Sequence, residues 1–251
     1  MYGGIKNMKG FRKAVTIFID VLGSQDRENF EEWYHIMEIF EQSVKKEKQL
    51  DESHKWTIYK REIHVFSDCA YIIYDYKDVI EESRKDMNAL MCIACYNTEK
   101  LIYEFLRNGF IVRGAITYGD IYYEDKRNIW FGPAMNRAYY LETKVAKYPR
   151  IIIDPDYVQG LINYNELHYR STERQCEMNG EIIRKDIDDI YYLNYFNSIL
   201  YMIDAEFTAN KIYLLCQTEK RKRRENEKLK LSIKEKYDWL QEHLLEYFEI
   251  Q

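Results

Sequence analysis

The sequence predicts an α+β protein in which an antiparallel-rich sheet is covered by helices. Three observations carry that expectation. Residues 14–23 (AVTIFIDVLG) and 63–73 (IHVFSDCAYII) are apolar runs rich in β-branched and aromatic residues, as buried strands are. Phe30, Trp33, Met37, Phe40 and Val44 recur at three and four, as along one face of a helix. Stretches of the two kinds then follow as strand, helix, two strands, helix, two strands, helix, strands, an order suited to a sheet with helical cover.

Taken in order, residues 13–20 form the first strand, continuous enough to be buried on both faces. Residues 21–24 turn the chain, with Gly23 free to take backbone angles closed to other residues. The helix through Phe30 and Val44 ends in the charged run 45–52. Residues 56–66 and 69–76 make a hairpin about Ser67-Asp68. A long helix is expected over 84–107, stopped by Gly109. Residues 110–119 are a strand that 120–124 continue or pair back upon; 125–128 are a polar turn and 129–131 return as a strand. Gly132-Pro133 opens a helix through Asn136, Leu141 and Val145, proline being tolerated in a first turn. Residues 150–154 are a short strand, 155–161 a short helix, and 181–184 with 190–196 a last pair of strands. Beyond residue 201, Leu229, Ile233, Tyr237, Leu240, Leu244 and Phe248 mark one long amphipathic tail helix. The basic run 220–224 stands at its start and reads as a solvated helix face, with phosphate or RNA contact as the rival. The chain thus divides into residues 10–200 and a helical extension, 201–251.

A chain of 251 residues, 46% hydrophobic and 31% charged, suits a soluble globular protein with a sizeable core. A net charge of −5 argues against a general nucleic-acid binder. With no apolar run of about 18 residues or more and no signal peptide, a cytoplasmic protein without a membrane partner is expected. Of the five cysteines, Cys92 and Cys95 form a C-x-x-C in mid-helix with no second pair at zinc spacing. Together with Cys69, Cys176 and Cys216 they read as buried free thiols.

Chemistry concentrates in the two acidic turns. If their runs are neighbours in one sheet, Asp20 and Asp68 converge. Two carboxylates beside a backbone carbonyl suit Mg²⁺ shared with a phosphate chain. An Asp after a strand also serves as a turn former or helix cap. Asn136 is equally well read as a helix N-cap or first-turn residue, and His64 as a hairpin histidine facing a tyrosine.

The order of elements and four short blocks resemble the class III nucleotide cyclase catalytic domain, with its ferredoxin-like sheet. Residues 19–23 (IDVLG) resemble that family's first metal strand, and Ser67-Asp68 stands where its hairpin carries Gly-Asp. Residues 112–119 (VRGAITYG) resemble the strand before the dimer arm. Residues 132–136 (GPAMN), with Leu141-Glu142 behind them, resemble the helix start that carries a catalytic Asn. The resemblance spans roughly residues 12 to 197. It implies two Mg²⁺ or Mn²⁺ ions on Asp20, Asp68 and the Val21 carbonyl, with a triphosphate on the amides of Leu22, Gly23 and Ser24. It further implies that Asn136 orients the ribose from the opposite subunit of a head-to-tail homodimer. The implied reaction is attack of the 3′-hydroxyl on the α-phosphate with loss of pyrophosphate.

Two departures stand out. Tyr140 occupies the place of the family's transition-state Arg, four residues after the Asn, and a neutral phenol is no guanidinium clamp. Arg113 is the first candidate to replace it, since Arg137 points elsewhere on a helix. Where adenylate cyclases read the base with Lys and Asp, this chain has His64 and Ile129. Short divergent chains of this kind look closest to a bacterial branch that makes cyclic pyrimidine nucleotides from UTP or CTP as alarm signals against phage. The rival functions are a catalytically silent nucleotide sensor, supported by Tyr140, and polymerase-like work, which the net charge opposes.

Overall fold

The computed structural model describes residues 10–24, 27–124, 127–168, 181–224 and 231–250. Strand β1 (Arg12–Val21) runs through the middle of the sheet. Its side chains alternate between two apolar layers, as the two-residue strand period requires. Val15, Ile17, Ile19 and Val21 enter the main core, while Ala14 and Phe18 enter a smaller cluster on the other face. Both faces of β1 are therefore covered, as its unbroken apolar run predicts.

Helix α1 (Phe30–Ser53) is capped by Asn29 and carries the charged run as its last turns. Strands β2 (Tyr59–Phe66) and β3 (Cys69–Tyr76) form the hairpin, and β3 pairs antiparallel with β1. Helix α2 (Met87–Arg107) starts at Met87 rather than 84, because Asp86 accepts from the amides of Asn88 and Ala89 and fixes the cap there. Strand β4 (Val112–Glu124) pairs with the other edge of β1 and continues unbroken through 120–124. The order β4–β1–β3–β2, with α1 and α2 as crossovers, is the ferredoxin-like split βαβ arrangement.

Strand β5 (Ile129–Phe131) folds back on β4; of the turn before it, residues 125 and 126 lie outside the described residues. Helix α3 (Pro133–Tyr140) then crosses the smaller apolar face and continues as a π-helical turn, Leu141–Ala146. Gly132 has φ of 150°, and a Cβ there would lie 2.6 Å from the Asp120 carbonyl oxygen, so only glycine lets α3 start against β4. Strand β6 (Ile151–Ile153) lies parallel to β4, followed by α4 (Pro155–His168). Strands β7 (Ile183–Lys185) and β8 (Tyr191–Leu193) complete an eight-stranded sheet, mostly antiparallel.

The end of the chain differs from the expectation of one tail helix. After the short α5 (Tyr195–Ile199) come two helices, α6 (Ala205–Arg224) and α7 (Leu231–Tyr247), packed on each other. The basic run ends α6 instead of starting the tail, and Lys220 donates to Asp238 at 2.7 Å, tying the two helices together. Ala209, Ile212 and Cys216 of α6, with Trp239, Leu240 and Leu244 of α7, join the same core as the sheet. No break in that core marks a boundary near residue 200.

Cys69, Cys92, Cys95 and Cys216 are buried free thiols, and burial pushes Cys92 up to about 12; Cys176 lies outside the described residues. Among the described residues no helix is long and apolar enough to cross a membrane.

Within α2, Glu99 is buried and one carboxylate oxygen lacks a partner. Burial pushes its pKa from 4.5 to about 8, against the pull of a hydrogen bond from Ser198. Between those values the unfolded chain has released a proton that the folded chain keeps. Stability therefore falls as pH rises through that window, by at most about 1.4 kcal/mol per pH unit from this residue. Below the window the term vanishes, and above it the penalty is constant. Glu99→Gln removes the term. Urea unfolding of wild type and variant across this range should diverge progressively with rising pH, the variant being the more stable.

Candidate functional site

The end of β1 is held on both sides. The Val21 amide donates to the Asp68 carbonyl at 2.9 Å, and the Leu22 amide donates to the Ile111 carbonyl at 2.8 Å. These bonds bring the first acidic turn against the β2–β3 turn, so Asp20 and Asp68 share one corner of the sheet. Ser67 has φ of 55° at the first position of that two-residue turn, a conformation glycine takes without strain. The Ser24 hydroxyl donates to the Asp68 carboxylate.

Two further groups complete the corner. Arg113 lies opposite Asp20 in the β1–β4 register, its guanidinium 3.9 Å from the Asp20 carboxylate. Its Nε donates to Glu142 Oε1 at 2.5 Å, and Glu142 itself is buried. Burial, then the charge of Glu142, raises Asp20 to about 7; Arg113 opposes this and Asp68 adds to it. Burial also raises Glu142 despite its arginine, and raises the neighbouring Cys69 thiol to about 12.

This corner holds more negative charge than its arginine neutralises. No three His, Cys, Asp or Glu side chains among the described residues form a ready-made metal cage. Two carboxylates and the Val21 carbonyl nevertheless suit Mg²⁺ or Mn²⁺, which take few protein oxygens and fill the other positions with water and phosphate. The donor set fits such an ion.

The sequence-derived phosphate cradle changes in one respect. The Leu22 amide is spent on Ile111 and is no phosphate donor. Gly23, with φ of 77°, and Ser24 have amides with no hydrogen-bond partner among the described residues.

A second group of residues lies on the same face, around the start of α3. Tyr71, Trp130, Phe131, Gly132, Pro133, Met135 and Asn136 line a cavity of about 380 Å³. His64 faces Tyr71 across the hairpin and stacks on Trp130, with ring centroids 5.4 Å apart and 22° between planes. The Trp130 indole N–H is buried without an acceptor. Ile129 is not brought here. Successive strand residues face opposite ways, so Ile129 opens on a different cavity with Phe11 and Tyr122, and Trp130 takes the place beside His64.

Asn136 and Tyr140, four apart, are both exposed on the outer side of α3, whose buried side carries Ala134, Met135 and Ala138. No contact among the described residues joins Asn136 to Asp20 or Asp68. Arg137 makes two hydrogen bonds to Asp154, at 2.9 and 2.7 Å, and is committed there. Arg113 does reach the carboxylate corner, but its guanidinium is engaged by Glu142.

Sequence reasoning missed Glu142 and Trp130. Glu142 stood in a quoted block without a role. Trp130 was one residue from the position chosen.

No protein-family model matches the chain, and no curated protein matches it. Solved structures to which it is similar include two, each at 12% identity. One is the monomeric guanylyl cyclase domain of a rhodopsin fusion protein from the aquatic fungus Blastocladiella emersonii, with a TM-score of 0.44, covering 73% of this chain and 97% of that one. The other is the catalytic core of a rhodopsin–guanylyl cyclase with converted specificity, in complex with ATPαS, with a TM-score of 0.42, covering 74% and 97%. A likeness at that level does not extend to activity or substrate.

Proposed function

We propose that the protein is a metal-dependent nucleotidyl cyclase. It converts a ribonucleoside triphosphate to a 3′,5′-cyclic mononucleotide and pyrophosphate, and it acts as a homodimer. The observation that carries this reading is the meeting of Asp20 and Asp68 at one corner, pinned by the Val21 to Asp68 hydrogen bond and left with excess negative charge. Asp20, Asp68 and the Val21 carbonyl would hold Mg²⁺ or Mn²⁺. Ions bound there supply activation of the ribose hydroxyl and neutralisation of the departing pyrophosphate.

The chain's own groups have separable tasks. Glu142 and Arg113 hold each other and set the charge around Asp20. The amides of Gly23 and Ser24, without partners among the described residues, offer an anion nest. The aromatic cavity beside His64 and Trp130 offers a stacking surface for a base, and Asn136 offers its amide to a ribose. Asn136 and Tyr140 face outward, and the surrounding surface exposes Phe66, Phe131 and Tyr139 at 42–53%. A second copy docked on this aromatic surface would cover it and bring each Asn136 towards the partner's carboxylates. A pyrimidine substrate, and a role in defence against phage, follow from the resemblance alone; His64 and Trp130 lack the Lys and Asp that read a purine in the family.

Tyr140 at the family's arginine position favours a second reading, a nucleotide-binding sensor without turnover. Incubation with each of the four ribonucleoside triphosphates and Mn²⁺, followed by mass analysis, separates the two. The expected result is a cyclic mononucleotide and pyrophosphate from at least one. Tight binding with no product from any of the four, with either Mn²⁺ or Mg²⁺, leaves the sensor.

A further inference from the structure

The basic run 220–224 has no part in the cyclase reading, and it lies far along the chain from the Asp20–Asp68 corner. We infer that the free end of the α6–α7 hairpin binds single-stranded nucleic acid, through its phosphates and a stacked base. This inference stands whether or not the carboxylate corner turns over a nucleotide.

The run lies beyond the core. Among the described residues, Cys216 is the last buried one of α6 and Trp239 the first of α7. Lys220 bridges the two helices, donating to Asp238 at 2.7 Å and to Gln241. Positions 221–224 continue α6 past that bridge. Five consecutive cations thus stand at one end of a hairpin, in a chain whose net charge is −5. Charge segregated in this way draws a polyanion to one place while the rest of the surface repels it.

A notch of about 350 Å³ adjoins the run, lined by Tyr213, Gln217, Lys220, Arg221 and Gln241. The first four stand at i, i+4, i+7 and i+8 of α6, and position 224 continues that face at i+11. Gln217 and Arg221 are exposed, and Tyr213 and Lys220 half-buried. Gln241 is fixed in the notch, donating to the Tyr213 carbonyl at 3.1 Å and accepting from Lys220. Asp238 takes up the charge of Lys220 and, at 3.7 Å, of Lys234. Phosphate contacts therefore fall to Arg221 and the rest of the run. An aromatic ring beside a line of cations suits an unpaired strand, whose bases stack while its phosphates follow the charge. A duplex has its bases already stacked and offers Tyr213 nothing. The rival polyanion, an acidic membrane surface, is held by cations together with an apolar face that enters the lipid. Among the described residues between Leu214 and Leu245, no large apolar side chain is exposed.

The test is fluorescence anisotropy of the full chain with a labelled single-stranded RNA of about 20 nucleotides and mixed sequence, from about 50 to 200 mM salt. Affinity should fall with salt at a log–log slope of about −0.7 per phosphate contacted. Arg221→Gln with Arg224→Gln should weaken binding by about 10-fold or more and flatten the slope by about 1.4. Arg221→Lys with Arg224→Lys keeps the charge and should keep the slope. Lys45→Gln with Lys55→Gln, an equal loss of charge elsewhere on the surface, should leave binding unchanged. Tyr213→Leu keeps an apolar side chain and should weaken the single strand by about 10-fold, with little effect on a duplex of the same length. No RNA binding at about 50 mM salt, or equal binding by wild type and the Arg221→Gln, Arg224→Gln chain, overturns the inference. Binding to phosphatidylserine vesicles but not to RNA assigns the surface to a membrane and also overturns it. A duplex bound as tightly as the single strand, with Tyr213→Leu silent, overturns the single-strand assignment.

Discussion

Under the proposed function, Asp68→Ala should lower turnover by orders of magnitude and greatly weaken Mn²⁺ binding while leaving the melting temperature nearly unchanged, and Asp20→Asn should do the same. Asp68 is half-buried in a two-residue turn, where its side chain contributes one hydrogen bond with Ser24 and little packing. Asp20 is held at about 7 by burial and by Glu142, so its ionised form destabilises the fold at neutral pH and above. The linkage runs in one direction. The unfolded Asp releases its proton near pH 4 and the folded one near 7, so the penalty grows over that interval and is complete above it. Asp20→Asn removes the penalty, so stability above pH 7 should be equal or higher while metal affinity is lost. Removing one of two carboxylates from a phosphoryl-transfer site should lower turnover by about 10²–10³-fold or more. Calorimetry with Mn²⁺ and a melting curve on each variant check both halves. Unchanged Mn²⁺ binding in both variants would show that the metal assignment is wrong.

Much of the frame was legible because it rests on short-range patterns. The run 14–21 reads as a strand buried on both sides, and the structure buries it so. The hairpin follows from two apolar stretches around Ser67-Asp68, and Ser67 takes the positive φ that such a tight turn requires. Asp20 and Asp68 converge on the condition that their runs are neighbours in one sheet, and β1 does pair with β3.

What could not be read depends on tertiary packing. Glu142 becomes part of the site only where the π-helical turn crosses β4 and meets Arg113, a contact 29 residues apart. Trp130 rather than Ile129 faces His64 because pairing with Tyr123 sets which side of a three-residue strand faces the cavity. Helix α6 escaped notice since its buried residues, Ala209, Ile212 and Cys216, are small or few against a charged background. The expected stripe residues Leu240, Leu244 and Phe248 are buried, and Trp239 and His243 widen that stripe by packing on Tyr192 and Phe196.

The central claim is that one chain carries two halves of different sites: the Asp20–Asp68 corner, and the Asn136 cavity that faces outward. Asp20→Ala chains have no metal half but an intact Asn136, and Asn136→Ala chains have the converse. Each variant alone should be inactive, because every composite site in its homodimer lacks one half. Mixed in equal amounts after dissociation, half of the dimers pair unlike chains, and each of these holds one intact site. Activity should therefore return to about a quarter of wild type, as random assortment of a two-fold dimer requires. Turnover by the mixture, read against each variant alone and alongside light scattering, is the most direct test. Recovery near that level in a dimeric protein is the predicted result; no recovery from unlike chains that do exchange, or turnover by a strict monomer, would contradict the account.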